Sequence, residues 1–175
     1  MASVDLLRIA IEHCRGRLRV TPTVHAEIAR RAGGRPFLVR ALDAIRTDEI
    51  EQVRLSRAEA TLAASLHSSL WMNSPRAGKD LGEAETIAVA GLRSWHAVID
   101  ERKARVVLPM RFPASDCYCT PQVVLALAAS GKLTMDEAYE KLQAMTRAPN
   151  FQHEFAGKPK ARWMNAASYY GPTRL

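Results

Sequence analysis

The chain has 175 residues, 47% of them apolar, which is enough to build one domain around its own hydrophobic core. Its apolar runs are far shorter than the roughly 20 residues of a membrane-spanning helix, and charged residues stand near the N-terminus where a signal peptide would be apolar. We therefore expect a cytoplasmic protein. The 25 Lys and Arg against 18 Asp and Glu, a net charge of +7, favour an anionic partner, although a protein that is merely basic has the same balance.

Cysteine and histidine spacing argues against a soft-metal site. The three cysteines, Cys14, Cys117 and Cys119, cannot all pair with one another, and Cys-Tyr-Cys matches neither a zinc knuckle nor a redox motif. The five histidines do not fall at metal-ligand spacings either. We predict reduced thiols.

The first half of the chain alternates helices with short strands. An amphipathic pattern predicts a helix over residues 4–14, which Gly16 ends. Pro22, with Thr21 or Thr23 as the cap, starts a second helix. Two further helices are predicted over residues 37–45 and 57–70, and two strands over residues 18–20 and 50–55.

The second half continues the alternation. A strand is predicted over residues 95–99, and helices over residues 82–92, 101–108, 122–130 and 134–145. Pro109 is expected to stop the second of these helices, residues 109–121 to be irregular, and Thr134 with Glu137 to form a capping box. Strands that alternate with helices favour an α/β fold in which helices flank a parallel sheet.

Residues 147–175 form a predicted basic, aromatic C-terminal tail beyond a domain of residues 1–146. Its side chains would either stack on bases and hold phosphates, or dock the tail onto the domain or a second subunit. The residues concerned are Lys158, Lys160, Arg162, Trp163, Tyr169, Tyr170 and Arg174.

Carboxylates stand at two positions where α/β proteins place functional groups. Asp100 follows the predicted strand 95–99, and the functional crevice of a parallel sheet lies outside the carboxyl ends of its strands. Glu83 stands in the first turn of the helix 82–92, where compensation of the helix dipole is the alternative explanation.

Three segments resemble the PIN-domain family, in particular the branch that provides the toxins of bacterial toxin–antitoxin pairs. They are residues 20–28 (VTPTVHAEI), 81–90 (LGEAETIAVA) and 99–105 (IDERKAR), and residues 120–134 match more weakly. The resemblance spans about residues 19–146 and implies a PIN-like three-layer α/β domain, a parallel sheet flanked by helices. It also implies RNA as substrate, an antitoxin protein as partner and a homodimer.

The resemblance also implies a site. By position it makes Glu27, Glu83 and Asp100 the catalytic, metal-binding carboxylates, with Glu85 as a further metal ligand. Oxygen ligands of this kind suit Mg²⁺ or Mn²⁺. Such ions activate a water and steady the leaving oxygen of a phosphodiester, so the implied reaction is the hydrolysis of RNA.

A basic run follows Asp100 in the same motif. If the metal site is correct, Arg102, Lys103 and Arg105 lie beside the metal ions and bind the phosphate backbone of RNA. The alternative is a solvated basic face of a helix.

The chain departs from the family at its N-terminus. PIN domains open with a central hydrophobic strand that ends in Asp, whereas a helix is predicted here almost from the first residue, and Asp5 does not fill that role. Either the natural protein starts earlier, or the chain is a degenerate relative, or another segment or subunit supplies the strand, since its loss exposes two unpaired edges. The sequence thus predicts a Mg²⁺- or Mn²⁺-dependent endoribonuclease, with a catalytically impaired RNA-binding or protein-interaction module as the alternative.

Overall fold

A computed structural model describes residues 2–71 and 80–146, together with residue 161. The predicted tail at 147–175 lies outside the described residues except for that one position. In the part of the chain that is described, no helix is long and apolar enough to cross a membrane. The described residues divide into two compact units, a smaller one with residues 2–15 and 119–146 and a larger one with residues 16–71 and 80–118.

The described residues form eight α-helices and four strands of two residues each. The helices are α1 (Ala2–Cys14), α2 (Pro22–Arg31), α3 (Pro36–Arg46), α4 (Arg57–Trp71), α5 (Leu81–Arg93), α6 (Arg102–Arg111), α7 (Thr120–Ala129) and α8 (Met135–Thr146). The strands are β1 (Arg19–Val20), β2 (Glu51–Gln52), β3 (Ala97–Val98) and β4 (Cys117–Tyr118).

The mixed α/β class that the sequence predicts is confirmed, and so is the parallel pairing of the strands. Each predicted helix and strand has an observed counterpart, although the strands are shorter than predicted. Within the described residues the strands form two separate parallel pairs, β1 with β2 and β3 with β4. The three cysteines are free thiols, as expected.

Two expectations for residues 101–121 are wrong. Helix α6 does not stop before Pro109 but continues to Arg111. Its buried face, formed by Ala104, Val107 and Leu108, packs into the core and keeps the chain helical although the proline ring removes one hydrogen bond. The segment expected to be irregular contains β4, because a strand of two residues is too short to show a period in the sequence.

Helix α5 is the central element of the larger unit. It packs against α2, α4 and α6, and its residues from Ala84 to Ala90 are almost all buried. Gly91 near its end allows the Phe112 ring to approach so closely that an added Cβ would lie 2.4 Å from a ring carbon. Ser115, which is buried, donates from its hydroxyl to the carbonyl of Ala90 at 3.1 Å. α5 therefore fixes the positions of the elements around it.

The smaller unit is helical. Helices α1, α7 and α8 contact one another around a core that includes Leu6, Leu127 and Leu142. The predicted capping box at the start of α8 is confirmed: the Thr134 N–H donates to Glu137 at 2.7 Å, and the Glu137 N–H donates to the Thr134 hydroxyl at 3.2 Å. Hydrogen bonds from Thr134 lower the pKa of the Glu137 carboxyl.

Candidate functional site: an acidic edge and a basic clamp

Glu83, in the first turn of α5, is surrounded by other acids. Partial burial raises the pKa of its carboxyl, and the negative charges of Asp80, Glu27 and Glu101 raise it further. These three neighbours belong to three different segments, namely the residue before α5, helix α2 and the residue before α6. We call the four carboxylates, Glu27, Asp80, Glu83 and Glu101, the acidic edge.

The close approach of α2 to α5 brings Glu27 to this edge. Gly82 has no side chain, and an added Cβ would lie 2.9 Å from a methyl carbon of Val24 and 3.7 Å from Oε1 of Glu27. The carboxylate of Glu27 thus lies directly beside the first turn of α5. Glu27 and Glu83, two of the predicted ligands, therefore lie at the same end of α5.

Asp80 and Glu101 are functional candidates that the sequence prediction did not include. Asp80 has a left-handed backbone, with φ of 66°, and its side chain does not cap α5. Glu101 caps α6 by accepting a hydrogen bond from the Ala104 N–H at 2.6 Å. The spacing of acids around Glu83 in the sequence hints at both, but only the fold shows that their charges act on one carboxyl.

Asp100, the third predicted ligand, follows the C-terminal end of β3 and is exposed. It directly precedes Glu101, whose charge acts on Glu83. Strand β3 ends at Val98, so Asp100 follows it by two residues. Its relation to the acidic edge is thus given by its place in the chain next to Glu101.

Glu85, the fourth predicted ligand, is buried and already engaged. One of its oxygens accepts from the Thr23 N–H at 2.9 Å, and the other accepts from the Thr23 hydroxyl at 2.7 Å. Thr23 stands in the first turn of α2, where N–H groups lack partners within the helix. The contact therefore fastens the start of α2 to α5, and through α2 it positions Glu27.

The acidic edge fits a hard divalent cation in its chemistry and its charge, since all its donors are carboxylate oxygens and they repel one another. Across residues 2–71 and 80–146, however, no three Asp, Glu, His or Cys side chains come close enough to hold a metal ion. The carboxylates thus form an acidic region, not a closed ligand set.

The three predicted RNA-binding residues differ in their surroundings. Arg102 is exposed in the first turn of α6, and Arg105 is half-buried. The ammonium group of Lys103 donates to the carbonyl of Leu70 in the last turn of α4, where a cation offsets the helix dipole. Lys103 therefore has a structural contact, whereas Arg102 is exposed.

A second charged cluster lies at the opposite ends of β1 and β3. The guanidinium groups of Arg19 and Arg93 lie over the Trp95 ring, 4.5 Å and 4.8 Å from its centre. Arg19 also bonds Glu51 at 2.9 Å. We call Arg19, Arg93 and Trp95, with Glu51 and Glu59, the basic clamp.

Glu59 anchors the clamp in the core. Its side chain is 4% exposed, and it accepts two hydrogen bonds from Arg93 at 2.6 Å and 3.0 Å. The Arg93 guanidinium is the main cause that lowers the pKa of Glu59 to about 2, and Glu59 in turn raises the pKa of Arg93. A sequence signal was present, since Ser56 and Glu59 form a capping box at the start of α4.

Comparisons of the chain with protein-family profiles, with curated proteins and with solved structures give no match.

Proposed function

We propose that the chain is a metal-dependent endoribonuclease with a PIN-like three-layer fold, and that RNA is cut at the acidic edge. The observation that carries the proposal is the convergence of Glu27, Glu83 and Glu101 from three separate segments, with Asp100 beside them. The raised pKa of Glu83 means that, among the described residues, its ionised form lacks a compensating cation. A divalent ion would supply that compensation.

Glu27, Glu83 and Asp100 would hold Mg²⁺ or Mn²⁺ after their side chains move closer together, and the neighbours Asp80 and Glu101 would add negative charge around the ion. When bound, the ion supplies a polarised water and neutralises the oxygen that leaves the phosphodiester. Glu85 serves a positioning role, because both its oxygens are bonded to Thr23.

The first turn of α6 would hold the RNA backbone. Arg102 is exposed there and directly follows the acidic residues, so its guanidinium can pair with a phosphate whose neighbour lies at the acidic edge. Arg105 stands one turn later on the same helix. Lys103 contributes charge to this surface while its ammonium group stays on Leu70.

The resemblance of residues 20–28, 81–90 and 99–105 to PIN-domain toxins leads us to propose a role and a partner for the chain. The chain would be the toxin of a toxin–antitoxin pair and would act as a homodimer. The antitoxin would cover the acidic edge with a basic or apolar segment, because a cationic side chain placed there satisfies the same uncompensated charge as a metal ion does.

The test is RNA cleavage by the purified chain with Mn²⁺, with Mg²⁺ and with EDTA. We expect cleavage only with metal, and we expect Glu83→Gln and Asp100→Asn each to reduce the rate by at least roughly 100-fold, because each removes a charged ligand of the ion. Glu140→Gln on α8 is the matched control, since Glu140 is equally a carboxylate and is exposed. Calorimetric titration with Mn²⁺ should show binding to the wild type and to the control.

Metal-dependent cleavage that survives both substitutions at the acidic edge would rule out this site. Cleavage that persists in EDTA would rule out the metal.

A second candidate function is a module that binds RNA or a protein without cutting. The observation in its favour is the absence of a closed group of metal ligands among the described residues. In that case RNA binding would depend on Arg102 and on salt concentration, while Glu83→Gln would leave the affinity for RNA unchanged or increase it.

A further inference from the structure

The two parallel strand pairs of the larger unit share one groove. It has a volume of about 160 Å³ and is lined by both β1 and β3, with Thr86, Val89 and Ala90 of α5 beneath them. Residue Val98 of β3 is 47% exposed although its neighbours Ala97 and Ile99 are buried. An apolar side chain and two strand edges thus face the same opening.

Both strands run in the same direction along this groove. Arg19, at the start of β1, contacts Trp95, which lies two residues before β3. The acids that follow β1 and β3, Glu27 and Glu101, act on the same carboxyl of Glu83. The starts of the two strands are therefore together at the basic clamp, and their ends are together at the acidic edge.

Arg19 of β1 and Val98 of β3 both line the groove, and the hydrogen bonds of their neighbours show which way their backbone groups point. Toward β2, the carbonyl of Leu18 accepts from the N–H of Glu51, and that of Val20 accepts from Val53. Toward β4, the N–H of Ala97 donates to the carbonyl of Asp116, and that of Ile99 donates to Tyr118. Backbone groups of successive residues in a strand point to opposite sides. The N–H and C=O of Arg19 and of Val98 therefore point away from the existing pairs.

The groove also contains a buried hydroxyl without a partner among the described residues. Thr21 is 5% exposed and lines the groove, yet its Oγ1 has no hydrogen-bond partner among the described residues. A buried hydroxyl without a partner is unfavourable by about 1–3 kcal/mol. Thr23, two residues later, has its hydroxyl bonded to Glu85. The end of β1 is thus built for a polar group that comes from elsewhere.

We propose that this groove is an acceptor for one extended segment of a partner protein, which inserts as a β-strand between β1 and β3 and parallel to both. Neighbouring strands lie about 4.8 Å apart, so one inserted strand would bond to both inner edges and join the two pairs into a continuous sheet. The inserted residues are apolar and β-branched, because the floor of the groove is apolar.

The charges along the groove determine the ends of this segment. At the basic clamp, Arg19 and Arg93 are already paired with Glu51 and Glu59. At the acidic edge, no Lys or Arg of the described chain forms an ion pair with Glu27 or Glu83. A parallel strand ends at the acidic edge, and there it should carry a basic residue. The proposal requires neither RNA nor metal and stands apart from the nuclease hypothesis.

The experiment uses the full chain and a synthetic peptide with blocked ends, Ser-Val-Thr-Val-Thr-Val-Lys, without divalent metal. Amide hydrogen exchange is followed by NMR. We expect the peptide to slow exchange at the N–H groups of Arg19 and Val98 by about tenfold or more. The N–H groups of Ala97 and Ile99 are internal controls, because they already donate to the carbonyls of Asp116 and Tyr118.

Two peptide controls leave the protein unchanged. N-methylation of two adjacent central residues removes one donor toward each edge and should weaken binding by about tenfold. The peptide with Lys and Ser exchanged between its ends should bind about threefold more weakly at low salt, because its positive charge lies away from the acidic edge.

A protein variant completes the test. Thr21→Val should lower the affinity for the peptide by about threefold. It should cause no loss of stability, since the hydroxyl that it removes has no partner in the described chain. The proposal is overturned if Arg19 and Val98 show no slowing at millimolar peptide. It is also overturned if their amides exchange as slowly as Ile99 in the free chain, since the groove would then be filled by the chain itself.

Discussion

The acidic edge and the basic clamp lie at the two ends of the same strands, and they shift the pKa of a carboxyl in opposite directions. In the clamp, Glu59 is buried against Arg93, and the pKa of the carboxyl falls to about 2. At the edge, Glu83 is partly buried against other acids, and the pKa of its carboxyl rises. One carboxylate is thus stabilised in its ionised form by the fold, and the other is destabilised in that form.

The opposite pKa shifts indicate which carboxylate contributes to stability and which is a candidate for function. A fold gains from a buried carboxylate only when a cation and hydrogen bonds compensate the lost hydration, and the clamp supplies both. Among the described residues, the edge gathers carboxylates without that compensation, an arrangement that is found at functional sites. We infer that the clamp stabilises the larger unit and that the acidic edge binds a cation from outside the chain.

The largest effect is expected in the clamp. Glu59→Gln should lower the free energy of unfolding by about 3 kcal/mol, because it leaves the half-buried guanidinium of Arg93 without its carboxylate. Urea denaturation of both proteins measures the difference. Glu51→Gln is the matched control: the Arg19 to Glu51 pair is exposed, so the loss should stay below about 1 kcal/mol. Equal losses in the two variants would mean that burial does not set the strength of the clamp.

A second comparison uses two threonines that flank Pro22. Thr23→Val should destabilise the chain by about 2 kcal/mol, because it leaves an oxygen of the buried Glu85 without its donor at 2.7 Å. Thr21→Val removes a buried hydroxyl that has no partner in the described residues, so it should leave the stability unchanged or raise it by up to about 1–3 kcal/mol. Thermal unfolding of both variants is the measurement. A larger loss for Thr21→Val would show that this hydroxyl is bonded in solution.

Local sequence signals gave most of the helices. The start of α2 follows from Pro22 in its first turn, and the start of α8 follows from Thr134 with Glu137, since these signals act within a few residues. Strands β1, β2 and β3 were placed correctly, but their two-residue lengths were not predicted and β4 was missed, because sheet pairing depends on partners distant in sequence.

The candidate site was predictable only in part. Glu83 was recognisable as a carboxylate at a helix start, and Asp100 as one at a strand end. The bond between Glu85 and Thr23 joins residues 62 positions apart, so no local pattern distinguishes Glu85 from a metal ligand. The Lys103 contact with Leu70 spans 33 positions and was missed for the same reason.

The pH dependence of stability should have opposite signs at the two ends. The pKa of Glu59 lies at about 2, below its ordinary value of 4.5, so its contribution is complete above about pH 4.5 and is lost as the pH falls toward 2. Urea denaturation between pH 3 and 7 should show this loss in the wild type. In Glu59→Gln the free energy of unfolding should change less with pH over the same range. If it changes as much as in the wild type, groups other than Glu59 cause the acid sensitivity.

The smallest effect is expected at the acidic edge, and it has the opposite sign. The pKa of Glu83 is raised, so the folded state binds its proton more tightly than the unfolded state does, and stability declines as the pH rises from 4.5 through that raised pKa. At neutral pH and without divalent ions, Glu83→Gln should therefore stabilise the chain, by about 0.5 kcal/mol because the carboxyl is partly exposed and screened. Adding Mn²⁺ should raise the melting temperature of the wild type and not that of the variant. A wild type that is more stable than Glu83→Gln in EDTA would mean that the edge is compensated from within, and the contrast with the clamp would then disappear.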